Sequence, residues 1–165
     1  MRDFLIRPER NDDAAAIYAV TLEAFTQPAE ADLVNGLRAS GDAVCSLVAE
    51  VDGAIVGHVM LSKLASPARC MGLAPLSVLP CQQKLGIGAA LMTRAIEITA
   101  HDGWLAVFLL GDPAYYSRFG FRVDAAAKFE TPYPKEYMMA LELTPGALEN
   151  LSGAIRYAAP FSAFA

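Results

Sequence analysis

The sequence predicts one mixed α/β sheet, and three local patterns carry that reading. The first is Asp52-Gly53 between two β-prone runs, residues 44–51 and 54–64. Asp-Gly in that setting is a strong short-range signal for a hairpin. The second is a strand–helix–strand succession over residues 73–78, 86–100 and 104–110. Strands joined through a helix pair in parallel, because the crossover carries the chain back to its starting edge. The third is the link inside that unit, PCQQKLGIG from Pro80 to Gly88, which is polar and carries Gly86 and Gly88. A helix that starts on such a turn presents amides without internal partners, a ready anion site.

The other elements follow in order. Phe4-Leu5-Ile6-Arg7 is a short strand ended by Pro8. Asn11, Asp12 or Asp13 can cap a helix whose apolar positions include Ile17, Val20, Ala24 and Phe25. Pro28 separates it from a second helix over residues 30–39, with Leu33, Val34 and Leu37 on one face and Ser40-Gly41-Asp42 as its stop. In the helix of the parallel unit, Ile87, Ala90, Leu91, Ala95 and Ile98 share a face. After residues 104–110, Gly111-Asp112-Pro113 opens a short helix through Tyr115, Tyr116 and Phe119, closed by Gly120. Residues 121–123 read as a short strand, 125–134 as a loop with Pro132 and Pro134, and 137–143 as a strand with Met139, Leu141 and Leu143 on one side. A short helix at 145–151 and a last strand at 154–158 complete the chain.

Composition narrows the function classes. A chain of 165 residues with no linker and no repeat reads as one domain, residues 1–165. The net charge of −5 gives no basic footprint for nucleic acid. Cys45, Cys70 and Cys81 show no C-x-x-C spacing, and His58 and His101 are the only histidines, so no metal site is expected. The amino terminus, MRDFLIRPERNDD, is charged too early for a signal peptide. No apolar run approaches the roughly 20 residues of a membrane span. A cytoplasmic protein with no membrane partner is the expectation.

Two blocks together resemble the GNAT superfamily of acetyl-CoA-dependent N-acetyltransferases. Gln83-Lys84-Leu85-Gly86-Ile87-Gly88 fits that family's Q/R-x-x-G-x-G/A phosphate loop, placed after a strand and before an amphipathic helix. The run from Gly111 to Phe121, GDPAYYSRFGF, is similar to the family's helix ending in Tyr-x-x-x-Gly-Phe, and as a block it resembles the YhbS-like branch of predicted acetyltransferases. The resemblance spans nearly the whole chain. It implies a mainly antiparallel sheet with one splayed parallel pair and flanking helices.

It also implies that acetyl-CoA is the co-substrate and lies in the splay. Leu76 and Val78 would then pair with the pantetheine amides, and the turn and helix start, Gln83, Lys84, Leu85, Gly86, Ile87, Gly88 and Ala89, would hold the pyrophosphate. The Val78 end of the strand would serve the acyl group, its backbone amide polarising the carbonyl. Tyr116 stands where many relatives carry the general acid that protonates the departing thiolate. Tyr115 is its neighbour, about 100° away on a helix, so the two cannot face the sulfur equally. The plainer reading of both is core aromatics whose hydroxyls bond to backbone.

The acceptor is a small-molecule or peptide amine, and its binding residues are less marked. Glu23 and Glu30 lie where the fold borders the acceptor pocket, although Glu30 also suits a plain first-turn carboxylate. His58 reads first as a satisfied core histidine, and a water relay serves equally well as the base. The three cysteines read as packing residues. A non-catalytic acyl-CoA-binding module, or an enzyme with another acyl donor, is the rival reading. The apolar carboxy terminus, residues 157–165, could support a homodimer.

Overall fold

A computed structural model describes residues 3–164; Met1, Arg2 and Ala165, at the outer ends of the charged amino-terminal and apolar carboxy-terminal stretches, lie outside them. Six strands form one sheet in sequential order: β1 Leu5–Pro8, β2 Ala43–Val51, β3 Ala54–Lys63, β4 Cys70–Val78, β5 Ala106–Leu110 and β6 Met138–Glu142. Every neighbouring pair is antiparallel except β4 and β5. The β2–β3 hairpin turns on Asp52 and Gly53, whose φ values of 52° and 80° are those of a mirror-image turn matched to strand twist.

Helices cover both faces because each strand alternates two apolar sets. Leu47, Val59, Leu61, Met71 and Val107 pack against Ile87, Leu91, Met92 and Ala95 of α3 Ile87–His101. On the other face, Val48 and Met60 meet Ile17 of α1 Ala14–Phe25 and Leu33, Val34 and Leu37 of α2 Ala29–Ser40. Farther along that face, Cys70, Phe108, Met138 and Ala140 form a third cluster with Phe129, Leu148 and Ile155. β6 shows the expected alternation: Met139, Leu141 and Leu143 go with α3, while Met138 and Ala140 go to the opposite cluster.

Three expectations need correction. Residues 121–123 are not a strand: Arg122 makes an isolated bridge to Ala140, and Val123 opens α5 Val123–Ala126. The last strand is likewise reduced to single bridges, Ala154 to Glu130 and Arg156 to Ser66. Each of these segments makes single bridges rather than a ladder of pairs. Asp13 does stand at the start of α1, but its side chain makes no cap bond to that helix. Its carboxylate accepts instead from Arg10 N at 2.6 Å and from Arg7 Nη1 at 2.7 Å, and Arg7 Nε also donates to Glu50 at 2.8 Å. This buried group ties β1 to β2 and to the start of α1, and it holds the Asp13 carboxyl down at about 2. The carboxy-terminal residues considered for a homodimer place Ala158 and Phe161 in the chain's own core, beside α2.

His58 lies in the core, as expected, but only one of its ring nitrogens is satisfied. It is 0% exposed, sharing a 2.8 Å hydrogen bond between Nε2 and Ser46 Oγ, while Nδ1 has no partner among the described residues. Burial, with a smaller push from Arg38, lowers its pKa from 6.5 to about 3. The unfolded imidazole takes a proton near pH 6.5 and the folded one does not. Stability is therefore full above pH 6.5 and falls as pH drops toward 3, by up to about 1.4 kcal/mol per pH unit. Urea unfolding of the wild type and of His58→Gln between pH 7 and 4.5 tests this: the variant should lose most of that slope, whatever its stability at pH 7.

Candidate active site

The site begins where β4 and β5 part. They pair only at Cys70–Ala106, Met71–Val107 and Gly72–Phe108, whereas β4 stays paired to β3 as far as Val78. Just past the parting, Ala74 and Pro75 together face Met60 in a register shift between β3 and β4, and Pro75 has no N–H to give. Leu79 N donates to Val56 O, so strand alternation turns the N–H and C=O of Val78 and Leu76 away from β3 and into the gap.

Two cavities open on this gap, and Leu76 lines both. One, of about 500 Å³, has Val78, Gln83, Lys84, Gly86, Ile87, Gly88 and Ala89 around it. Nine positions were expected at a cofactor, and eight line this cleft. Leu85 does not; its side chain is 56% exposed. The turn is built by left-handed residues, Lys84 at φ 66° and Gly86 at φ 87°. The first backbone bond of α3 is Ala90 N to Gly86 O, which leaves the amides of Ile87, Gly88 and Ala89 without helical partners. Gln83 Nε2 donates to Val78 O at 3.1 Å and ties the turn to the strand end.

The two glycines serve different purposes. Gly86 has open space around it and is needed for its backbone conformation. A Cβ at Gly88 would sit 3.4 Å from Tyr115 Oη and 3.8 Å from Val78, in the cleft itself.

The second cavity, of about 350 Å³, is lined by Leu73, Ala74 and Pro75 of β4, by Leu110, and by Tyr116, Glu30 and several aromatics. The two tyrosines are thus divided. Both sit on α4 Pro113–Tyr116, whose start Asp112 caps by accepting from Ala114 N at 2.9 Å. Tyr115 faces the glycine turn, with the Arg118 guanidinium 4.6 Å over its ring. Tyr116 faces the second cavity; its ring packs on Gly111 and against Phe121. Burial, then Tyr115 and Asp112, raise the Tyr116 pKa above its ordinary value, so its hydroxyl keeps its proton at neutral pH.

A family model of the acetyltransferase (GNAT) family matches residues 11–121. The chain belongs to the GNAT acetyltransferase family. It is 33% identical to the uncharacterized N-acetyltransferase YhbS of Escherichia coli K12, over 97% of this chain and 99% of that protein. It is 36% identical to the uncharacterized N-acetyltransferase YjhQ of the same strain, over 90% of this chain and 88% of that one. Among solved structures, E. coli YhbS in complex with CoA superposes with a TM-score of 0.93 at 32% identity, covering 100% of this chain and 95% of that one. A GNAT acetyltransferase from Brucella melitensis in complex with acetyl-CoA gives 0.83 at 34% identity, covering 98% and 99%.

Within this GNAT fold the remaining candidates separate. Glu30 lines the Tyr116 cavity, whereas Glu23 lines a different one beside Arg7, Asp13 and Glu50. His58 borders neither cavity at the gap. Cys45 and Cys70 are buried thiols, pushed up to about 11, and Cys81 is exposed. Among the described residues no three His, Cys, Asp or Glu side chains cluster as metal ligands, and no helix is long and apolar enough to cross a membrane.

Sequence reasoning missed most of the second cavity: Phe25, Leu33, Tyr133, Tyr157 and Phe161. The one local signal was Gly72, a glycine inside a strand, which marks a close approach. A Cβ there would stand 2.5 Å from the Tyr157 ring, which is held between Tyr133 and Phe161. Gly72→Ala should therefore cost about 1–3 kcal/mol in denaturant unfolding. Gly88→Ala, whose new methyl meets only ordinary contacts, should leave stability within about 0.5 kcal/mol of wild type or raise it.

Proposed function

We propose that the protein transfers an acetyl group from acetyl-CoA to a primary amine by direct attack. The observation that carries this reading is the pair of cavities meeting at Leu76, one walled by unpaired amides and the other by Tyr116 and Glu30. The residues present fit the cofactor. The amides of Ile87, Gly88 and Ala89 supply donors for a pyrophosphate, and Lys84 supplies a positive charge. The edge of β4 at Leu76 and Val78 supplies backbone groups for pantetheine amides. The CoA and acetyl-CoA complexes of the two structural relatives support the same assignment.

The acyl group belongs farther along β4 than Val78. Val78 stands beside the turn and its carbonyl accepts from Gln83. The Tyr116 cavity instead borders residues 73–76. Pro75 has no N–H, so the Leu76 N–H, directed into the gap, is the donor we assign to the thioester carbonyl. Bound acetyl-CoA supplies the activated acyl carbon. As the new C–N bond forms and the C–S bond breaks, the Tyr116 hydroxyl gives its proton to the departing thiolate, and the proton lost by the amine passes to water. The raised pKa of Tyr116 keeps it in the donating form.

Calorimetry with CoA tests the cofactor half. Gly88→Val should weaken binding at least about 10-fold, since the side chain would fill the cleft and hold phosphate oxygens off the amides. Unchanged affinity would remove the pyrophosphate assignment. Tyr116→Phe should lower kcat about 10²-fold or more with little change in CoA affinity, read as thiol release corrected for hydrolysis. Equal turnover would remove its acid role, whereas no thiol release from the wild type with any amine would favour a binding module.

A further inference from the structure

We infer that the acceptor is a small primary amine with an apolar or aromatic body, one positive charge and no anionic group, and that Glu30 holds its charge. The inference deepens the acetyltransferase reading and rests on it.

The lining of the Tyr116 cavity carries the argument. At about 350 Å³ it stands at the low end of small-molecule sites, which run from about 300 to 1,000 Å³. Its wall is apolar and aromatic, with Phe25, Leu33, Leu110, Tyr133 and Phe161 prominent, and no Lys, Arg or His among the described residues that line it. Glu30, 7% exposed, is the only carboxylate in that lining. The tyrosines add no charge at neutral pH where burial acts on them: it raises both Tyr116 and Tyr157.

Each alternative acceptor fails on a specific term. An amino acid, or any amine bearing a phosphate, would bring an anion into a wall with no cation, beside an existing carboxylate. A polyamine would bring a second ammonium with no second carboxylate to meet it. A hydroxyl-rich amino sugar would leave its hydroxyls against Leu33, Leu110 and Phe161. A single ammonium instead pairs the Glu30 charge, has aromatic faces beside it, and gives up a proton to water before its nitrogen attacks the thioester. Glu30 is also held for the task. Gln27 Nε2 donates to both carboxylate oxygens, at 2.5 and 3.0 Å, which fixes the group and leaves acceptor capacity on each oxygen. Glu30 is thus a positioning residue facing the same cavity as the proton donor Tyr116.

The test uses the full chain with acetyl-CoA and four amines: 2-phenylethylamine, L-phenylalanine, spermidine, and a short peptide with a free amino-terminal Phe. 2-Phenylethylamine and L-phenylalanine differ only in the carboxylate, so kcat/KM for the former should exceed the latter at least about 100-fold. Glu30→Gln should raise KM for 2-phenylethylamine at least about 10-fold, leave CoA affinity unchanged and narrow the gap between those two substrates. A carboxylate with only a helix-start role would not move that ranking. Preference for L-phenylalanine, spermidine or the peptide overturns the inference, as does an unchanged KM in Glu30→Gln. CoA binding with none of the amines acetylated overturns it too, while leaving the cofactor assignment intact. Loss of CoA binding in the wild type overturns the reading beneath.

Discussion

The parting of β4 from β5 after Gly72 and Phe108 is the constraint on which the site depends. A sheet interior normally satisfies every N–H and C=O through its neighbours, because an unpaired buried group is costly. β4 gives up its β5 partner at residues 73–78 while keeping β3. That leaves a row of backbone groups in the middle of the protein with no strand to meet them. An extended ligand with amides of its own is the natural complement. Everything else at the site lies against that row.

The devices that support the gap are local and distinct. The register shift at Ala74 and Pro75 falls just beyond the parting, where no β5 bond would be lost to it. Gly72 leaves room for the Tyr157 ring, which wedges against the last paired residue of β4. Gly111 does the same for Tyr116 on the β5 side, since a Cβ there would meet the ring at 2.4 Å. The turn at Lys84 and Gly86 is bound to the end of β4 by Gln83. Two glycines therefore seat the aromatic walls, while Gly86 and Gly88 shape the anion end.

The division of Tyr115 and Tyr116 explains how one short helix serves two cavities. Consecutive residues on a helix point about 100° apart. With Leu76 as the shared wall, one phenol reaches the glycine turn and the other the apolar cavity. The opposed characters of the cavities follow from their sources. The cleft at the glycine turn is lined by the end of β4, the turn and the start of α3, together with Tyr115 and Arg118. The second cavity joins β4 and the end of β5 to residues of α1, α2, α4 and the carboxy-terminal segment.

The sequence by itself determined the hairpin at Asp52-Gly53, the parallel unit and the glycine turn, because each is written within a few neighbouring residues as periodicity or turn chemistry. Eight of the nine positions it named for a cofactor line the cleft at the glycine turn, since a turn joined to the following helix is contiguous. The sequence overstated two segments: residues 121–123 and 154–158 have strand-like composition, yet they form only single bridges. The tertiary structure alone decided which tyrosine faces which cavity, that Glu30 and Glu23 belong to different ones, and that His58, expected in the core, leaves Nδ1 without a partner among the described residues. It also brought Phe25, Tyr133, Tyr157 and Phe161 together across the chain. Such residues share no local pattern, because their meeting depends on where the sheet places α1, α2 and the last segment, and only the folded chain sets that distance.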